Sequence, residues 1–329
     1  PRARAGPALG ALAMTTTTVA PTTAVPLDFD RRRADGRGLA DTVRAFTTAA
    51  KLGWQMEANW TDPLLFFIYS VAKPIASALI LVFMLLVIAG PGADQARGFV
   101  IVGSALWAFV MSGMAGLAWS VLDDRERYRM LKYIYVSPSD FKVVLMGRGV
   151  ARIAIGAMGA VIVLAVGVLF LGVPFAFGSV DWPLLAVCLV VGMTAIVAIG
   201  IVMAAICLQT RQESWSYPEA VAGALFLVVA AVFPLAVLPM PIQAIGLLVP
   251  LTWWLEGVRQ AAFPGTPTGI GGQGSLWTSA TGTNAPDHGT IVVALLATTV
   301  VVTLVAWVVF RWSEARAKER GLIDQTTGS

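Results

Sequence analysis

Long apolar runs separated by short polar segments set the pattern of this chain. Charged residues are absent from four intervals, which are 98–122, 153–180, 182–210 and 289–310. About 20 apolar residues, each adding 1.5 Å of helical rise, cross the roughly 30 Å hydrocarbon layer of a bilayer. Each of the four intervals is therefore predicted to form a membrane-spanning helix.

Two further apolar stretches contain residues that interrupt helices. Lys73 and Pro74 interrupt the first, whereas the second, 220–255, holds four prolines and is longer than one crossing requires. We interpret the second stretch as one span followed by short broken helices. The whole pattern predicts an all-α membrane protein with six transmembrane helices, at about 64–89, 98–121, 153–172, 182–208, 218–238 and 290–310.

The segment before the first span changes character at residue 39. Residues 1–38 are rich in Ala, Thr, Pro and Arg and have no periodic apolar face, which predicts a disordered N-terminal tail. Apolar residues then recur at helical spacing, which predicts an amphipathic helix over 39–62 on the inner membrane surface. The rest of the chain divides into a transmembrane domain, 63–311, and a cytoplasmic C-terminal tail, 312–329.

Small residues recur at every fourth position of the second predicted span: Ser104, Ala108, Ser112, Gly116 and Ser120. Small side chains at this period let another helix approach closely, because helix association in membranes depends on tight packing. The stripe therefore predicts either an internal contact with a neighbouring span or an interface between subunits.

The connection before the last span, "PGTPTGIGGQGSLWTSATGTNAPDHG", is long and rich in Gly, Thr and Ser. This composition predicts a flexible, exposed outer loop. His288, the only histidine, lies in it without a second candidate ligand nearby, so we expect no metal site.

Composition and charge agree with a membrane protein of defined orientation. Only 13% of the residues are charged and 57% are hydrophobic, whereas a soluble domain is about a quarter charged. Twenty of the 23 Lys and Arg residues fall on the termini and alternate connections, and the other connections hold only Arg97 and Arg259. By the positive-inside rule both termini are cytoplasmic, in a multi-pass protein of the cell inner or plasma membrane. The net charge of +4 then indicates no nucleic-acid partner.

The residues that enzymes need are scarce. One histidine, two cysteines 19 positions apart and almost no acids within the spans offer neither a metal cluster nor an activated nucleophile. The Gly-Lys dipeptide of a phosphate-binding loop is absent from the chain. We therefore expect no catalytic or ATP-binding site and no bound cofactor in this chain, so that any ATP would be hydrolysed by a separate subunit.

One polar segment stands out from this apolar background. Seven of the ten residues from Asp123 to Lys132 are charged, and the segment ends in the helix-breaking motif "VSPSDF", in which Ser137 is expected to cap the next helix. From the residues alone, the segment is either a solvated positive-inside loop or a surface that forms ion pairs and packing contacts with a partner.

Two segments resemble a known family. The charged segment followed by "VSPSDF" and "KVVLMGRGVARI", together with "FPLAVLPMPIQAIGLLVPLTWWLEGVRQAAFPG", is similar to the permease subunit of type-2 ABC exporters, which include drug, antibiotic and polysaccharide exporters. The resemblance extends from Leu39 to about Arg320. One departure is that the charged loop of the family commonly has a Glu-Gly pair and a Thr-Leu-Glu run, where this chain has "RERYRMLKY".

The resemblance implies a partner for the charged segment. In this family a separate ATPase subunit, which binds ATP and Mg²⁺, docks beside the amphipathic helix and the loop after the second span. The ATPase-coupling residues implied are Asp123, Asp124, Arg125, Glu126, Arg127, Tyr128, Arg129 and Lys132. A second permease subunit, identical or homologous, and the lipid bilayer are the other expected partners.

The resemblance also implies short re-entrant helices after the fifth span, at the outer face. We expect an outer gate there, formed by Phe233, Pro234, Pro239, Glu256 and Arg259, although Glu256 and Arg259 also suit a simple local pair. The expected substrate path is lined by Phe66, Phe67, Lys73, Trp107 and Phe109. The expected cargo is an amphipathic drug-like or lipid-like molecule; a lipid-linked polysaccharide, or a membrane scaffold without transport activity, are the alternatives.

Overall fold

The structure is a computed structural model that describes residues 38–58, 62–89, 94–137, 139–210 and 216–320. All regular elements in these residues are helical, which confirms the all-α fold class. The predicted tail before residue 38 and the last nine residues lie outside the described ranges. The α-helices are α1 (Leu39–Ala58), α2 (Pro63–Ala89), α3 (Asp94–Leu122), α4 (Leu131–Val136), α5 (Phe141–Phe170), α6 (Trp182–Gln209), α7 (Ser216–Val228), α8 (Met240–Leu248), α9 (Pro250–Ala262), α10 (Leu276–Thr281) and α11 (His288–Glu319).

Five of the described helices are long and apolar enough to cross a membrane: α2, α3, α5, α6 and α11. The fifth predicted span corresponds to α7, whose 13 residues give a length of only about 20 Å. This helix stops at Val228 rather than near residue 238, because Ala230 adopts a φ of 56° and Pro234 disfavours helix before it. The two short helices predicted after it are present as α8 and α9, while the sixth crossing and the re-entry of α8 and α9 into the membrane stay predictions.

The third long helix, α5, begins at Phe141 rather than near residue 153. Asp140 caps it, because one carboxylate oxygen accepts a hydrogen bond from the backbone N–H of Lys142 at 2.9 Å. Ser137 instead closes the short helix α4, so the expectation that Ser137 caps the following helix is wrong. The early start places Arg148 and Arg152 inside the first four turns of α5.

The core forms around α3, against which α2, α5 and α6 pack. Met114 of α3, Ile196 of α6 and Trp254 of α9 are among its fully buried side chains, and α11 packs on the outside of α6. In the small-residue stripe, the Ser112 hydroxyl donates to the carbonyl of Arg152 at 2.6 Å, and Gly116 lies against the Arg152 side chain. These contacts confirm the internal-contact interpretation of the stripe at these two positions.

The amphipathic helix α1 packs along the beginning of α5. A Cβ atom on Gly147 would lie 2.6 Å from the Phe46 carbonyl, and one on Gly53 would lie 3.2 Å from the Arg148 backbone. The two helices therefore touch nearly backbone to backbone, which fixes their relative position. The beginning of α1, before these contacts, leaves Leu39 and Val43 exposed.

Candidate coupling site

The charged segment begins where α3 changes its winding. After Leu122 the chain makes one π-helical turn, Asp123–Arg127, in which the Tyr128 N–H bonds to the Asp123 carbonyl at 2.8 Å. A π turn adds one residue to the helical repeat and is found frequently at functional sites. Its effect here is that Asp123, Asp124 and Arg125 all point inward and are buried.

The two inward acids meet basic residues of α5. Asp124 pairs with Arg148, and their side chains are only 3% and 5% exposed. Asp123 pairs with Arg152 across 2.8 Å, and the same Arg152 Nη2 atom lies 2.5 Å from the carboxylate of Glu57 on α1. We call Glu57, Asp123, Asp124, Arg148 and Arg152 the ionic junction, because they tie α1, the π turn and α5 together.

Arg125 extends this contact to α6. Its Nη1 atom donates to the carbonyls of Cys207 and Thr210, both at 3.0 Å, and its Nη2 atom lies 2.7 Å from Glu126. The last carbonyls of a helix have no partner within the helix and carry its negative dipole end, so a cation is favoured there. The π turn is therefore fixed directly to α5, through two arginines, and to α6, through Arg125, and it is linked to α1 by the Arg152 side chain that also binds Glu57.

Two arginines of the segment face outward. Arg127 and Arg129 are exposed, and the Arg127 guanidinium lies 5.6 Å from the centre of the Tyr128 ring. Tyr133 is 67% exposed. Arg129 has a left-handed φ of 51°, which turns the chain from the π turn into α4. The side chain of Lys132 lies outside the described part of the chain.

A cleft of about 280 Å³ lies beside the ionic junction. It separates the end of α1 from the start of α7 and is bordered by acidic and basic groups in equal number. The lining residues are Met56, Glu57, Trp119, Asp123, Arg127, Tyr128, Arg148, Arg152 and Glu219. A partner bound in this cleft would touch the junction directly, because four residues of the junction line it.

The sequence analysis missed three residues of the ionic junction, Glu57, Arg148 and Arg152. A usable signal was present, because two arginines four positions apart lead into a helix that is otherwise apolar. Charges at membrane depth occur almost always with a partner. Asp123 and Asp124, two of the few acids next to a predicted span, could have been proposed as partners on that ground.

Two of the predicted outer-gate residues, Glu256 and Arg259, belong to a second polar cluster, at the opposite end of the molecule from the ionic junction. Glu256 and Arg259 of α9 are each 1% exposed. The Arg259 guanidinium lies 3.8 Å from the centre of the Phe99 ring and donates to the Ala231 carbonyl at 2.6 Å. Burial lowers the pKa of Arg259 to about 10, which leaves it charged at neutral pH. Arg259 therefore holds the end of α7 against α3.

Glu256 and Gln243 bind the loop that follows α9. One Glu256 carboxylate oxygen accepts from the Gly269 N–H at 2.8 Å, and the Gln243 side-chain carbonyl accepts from the Leu276 N–H at 2.6 Å. The Gly269 carbonyl in turn accepts from the Leu235 N–H at 2.8 Å. The prediction of a flexible, exposed outer loop is therefore wrong for its first half, which buried side chains hold in place. The hydrogen bonds of Glu256 and Arg259 go to different elements rather than to each other.

The other predicted gate residues surround this cluster. Phe233 and Pro234 are partly buried in the turn after α7, and Pro239, which precedes α8, is exposed. His288 of the same loop lies 3.4 Å from the Asp181 carboxylate, which caps α6 through the Leu184 N–H. In the described part of the chain no group of three or more potential metal ligands occurs.

The predicted path residues do not share one surface. Trp107 packs against Phe226 of α7 with ring centres 5.1 Å apart, whereas Phe109 is buried against Trp254 of α9 at 5.8 Å. Lys73 is exposed on α2, and the side chains of Phe66 and Phe67 lie outside the described part of the structure. Of the three path residues whose side chains the structure describes, Lys73 and part of Trp107 are open to a cargo molecule.

Five long apolar helices, an amphipathic helix before them and a charged turn at the end of the second long helix define a polytopic α-helical membrane protein. The sequence profile of the ABC-2 type transporter family matches residues 48–263, which include the ionic junction and all of α2 to α9. The chain thus belongs to the ABC-2 type transporter family as a type-2 ABC permease subunit. No match was found among curated proteins.

Proposed function

We propose that the chain is the transmembrane subunit of an ATP-driven exporter, in which a separate ATPase subunit binds ATP and Mg²⁺. It would act with a second permease subunit, identical or homologous. The observation that carries the proposal is the ionic junction, because it fixes the outward-facing residues Arg127 and Arg129 to helices that reach through the molecule. Membership of a permease family makes an ATPase the partner to expect.

The segment would work in two parts. Arg127, Arg129 and Tyr133 are exposed and would contact the ATPase, whereas Asp123, Asp124 and Arg125 are buried and would transmit its movement. A displacement of the π turn would move α5 through Arg148 and Arg152. It would also move α1, because Arg152 binds Glu57 at the end of that helix. Packed cores respond to such displacements by switching between discrete arrangements, which is how a local push becomes a change of access.

The cargo would be an amphipathic drug-like or lipid-like molecule. Among the described side chains of α2, the exposed ones are apolar apart from Lys73 and Ser77, and the aromatic pair of Trp107 and Phe226 joins α3 to α7. Such a surface suits a cargo with a large apolar part and a small polar group. Export of a lipid-linked polysaccharide is the alternative within transport, and a scaffold without transport activity is the alternative outside it.

Co-purification with the candidate ATPase tests the proposal. A variant with Arg127→Ala, Arg129→Ala and Tyr133→Ala should bind the ATPase at least about tenfold more weakly, because exposed Arg and Tyr residues commonly dominate an interface. The matched control is Arg316→Ala with Arg320→Ala, which removes two basic charges at the end of α11 and should bind normally. Equal binding by both variants would contradict docking at this segment, and failure of the wild-type chain to bind any candidate ATPase would favour the scaffold.

A further inference from the structure

A second groove lies apart from the coupling site, where the start of α5 meets the last turns of α11. It has a volume of about 430 Å³ and is lined by Lys142, Trp307, Arg311, Glu314 and Ala315. The four residues from α11 follow one another at positions i, i+4, i+7 and i+8, so they share one face of that helix. None of the lining residues takes part in the ionic junction.

Two cations are held at the groove by aromatic rings. The Lys142 ammonium lies 5.6 Å from the centre of the Phe310 ring, and the Arg311 guanidinium lies 4.8 Å from the centre of the Trp307 ring. Such contacts reduce the freedom of long side chains, so less of it is lost when a ligand binds. Glu314 brings the net charge of the groove to about +1, which matches a ligand group with one negative charge.

Glu314 lies toward the protein side of the groove. Burial and then the negative charges of Glu314 and Asp140 raise the pKa of Tyr135 above its ordinary value, which places Glu314 within electrostatic reach of that ring. Tyr135 stacks on Phe141 with ring centres 4.6 Å apart, and Phe141 stacks on Phe310 at 6.2 Å. These stacked rings lie next to the groove, because the Lys142 ammonium that lines it stands over the Phe310 ring.

An exposed apolar stripe on α11 leads to this groove. Its residues are spaced by three or four positions, and each is between 44% and 67% exposed: Val293, Leu296, Val300, Leu304 and Trp307. From its first to its last residue the stripe is about 21 Å long at helical rise. The next residue on the same face is Arg311. An apolar track that ends in an exposed tryptophan and then a basic residue has the polarity profile of a phospholipid, with tails, interface and phosphate in that order.

We infer that this groove binds the headgroup of a singly anionic glycerophospholipid, whose acyl chains lie along the apolar stripe of α11. Arg311 and Lys142 would bind the phosphate, for which the planar guanidinium of Arg is well suited. The inference rests on the proposed topology in one respect, that this end of α11 faces the cytoplasmic leaflet, whose anionic lipids attract basic residues. A lipid bound there would join the start of α5 to α11.

Binding of short-chain lipids to the purified full chain in detergent, counted by native mass spectrometry, tests the inference without any ATPase. Dioctanoyl phosphatidylglycerol should bind at lower concentration than dioctanoyl phosphatidylcholine. Lys142→Gln with Arg311→Gln should weaken phosphatidylglycerol binding by about tenfold or more, since each basic residue near an anionic lipid contributes roughly a fivefold factor. Lys142→Arg with Arg311→Lys keeps both charges and should retain most of the binding.

The matched control is Arg316→Gln with Arg320→Gln. Arg316 also stacks on a tryptophan four residues earlier, Trp312, at 5.2 Å, but it does not line the groove. The control should bind phosphatidylglycerol within about twofold of wild type. An equal loss in both double variants would reduce the effect to general surface charge and overturn the inference. Binding of phosphatidylcholine at the same concentration as phosphatidylglycerol would also overturn it.

Two further arms separate other occupants of the same surface. Inorganic phosphate and glycerol phosphate should not displace the lipid, and displacement by either would make the groove a site for small anions instead. Trp307→Ala should weaken lipid binding while the oligomeric state in size-exclusion chromatography stays unchanged. Loss of a dimer in that variant would assign the stripe to a subunit interface and overturn the inference. A chain that binds lipid as expected but no ATPase would leave this site standing and remove the proposed function.

Discussion

Asp124 and Arg148 have almost no contact with solvent, so each charge depends on the other. The protonated or ionised groups of a buried pair lose their hydration, and the loss is offset only while both partners are present. Arg152 is less buried, at 18% exposure of its side chain, and shares its charge between Asp123 and Glu57. Within the ionic junction the Asp124–Arg148 pair is therefore the part on which folding depends most, and the Arg152 contacts are the part most easily rearranged.

At the residue scale we predict that Asp124→Asn destabilises the protein by about 3–5 kcal/mol, because Arg148 is left buried without its counter-charge. Thermal unfolding of the purified protein in detergent measures this. The exposed Arg129→Gln should change stability by no more than about 0.5 kcal/mol.

Replacement of both partners distinguishes loss of the charge pair from loss of shape. Asp124→Leu combined with Arg148→Met should recover most of the stability that Asp124→Asn loses, because a well-packed apolar pair often replaces a buried ion pair without penalty. If Asp124→Asn unfolds at the wild-type temperature, the Asp124–Arg148 pair contributes nothing to the stability of the protein, and folding does not depend on the ionic junction.

The sequence showed that residues 123–132 are exceptional, but not which of them face inward. Inward and outward positions depend on the π turn, which shifts the helical repeat by one residue and has no recognisable motif in "LDDRERY". They also depend on Arg148 and Arg152, which lie more than twenty positions further along the chain. A partner so distant is found only after the packing of α3 against α5 is known.

At the element scale, α1 is joined to the rest of the molecule by two kinds of contact. Close packing of its glycine and alanine positions against α5 fixes its distance, and the Glu57–Arg152 ion pair fixes its last turn. The two contacts lie on the same side of α1, and the opposite side exposes the polar residues Arg44, Thr48 and Lys51. The helix can therefore follow the movements of α5 while its polar side stays open to a partner.

We predict that Glu57→Gln leaves ATPase binding intact but reduces transport by at least about fivefold, because typical couplings between sites correspond to factors of this size or larger. Transport and ATP turnover are measured in proteoliposomes that contain the complex. Asp41→Asn is the matched control, since it removes the same charge from an exposed position of the same helix. If the two variants transport equally well, α1 does not transmit movement through Glu57.

The outer loop shows why composition was a poor guide at the element scale. Its Gly, Thr and Ser residues are those of a flexible linker, and its last part, 279–285, is indeed exposed. The first part is ordered by residues outside it, since Glu256 and Gln243 each accept a hydrogen bond from a loop N–H. A buried acid and a buried amide on neighbouring short helices decide the loop's structure, and nothing within the loop sequence itself records them.

At the scale of the whole molecule, the number of crossings decides on which sides the two ends lie. The described residues contain five helices of sufficient length, and α7 with the irregular segment after it would supply the sixth crossing. Six crossings put α1 and the end of α11 on the same side, whereas five would put them on opposite sides. The positive-inside count favours six.

Labelling with a membrane-impermeant maleimide in intact and permeabilised cells tests this prediction. Ser279→Cys should react in intact cells, whereas Thr48→Cys and Arg320→Cys should react only after permeabilisation. The native cysteines, Cys188 and Cys207, are fully buried and serve as the unreactive background. Reaction of either Thr48→Cys or Arg320→Cys, but not both, in intact cells would show an odd number of crossings.

The acids and the arginines of the ionic junction also follow a fixed order in the sequence. Its acids, Glu57, Asp123 and Asp124, are all made by the ribosome before its arginines, Arg148 and Arg152. Because domains begin to fold during synthesis, from the N-terminus onward, the helix that carries the two arginines emerges when every counter-charge it needs is already in place. Biogenesis of this protein therefore never requires those arginines to wait in the bilayer for a partner that has not yet been translated.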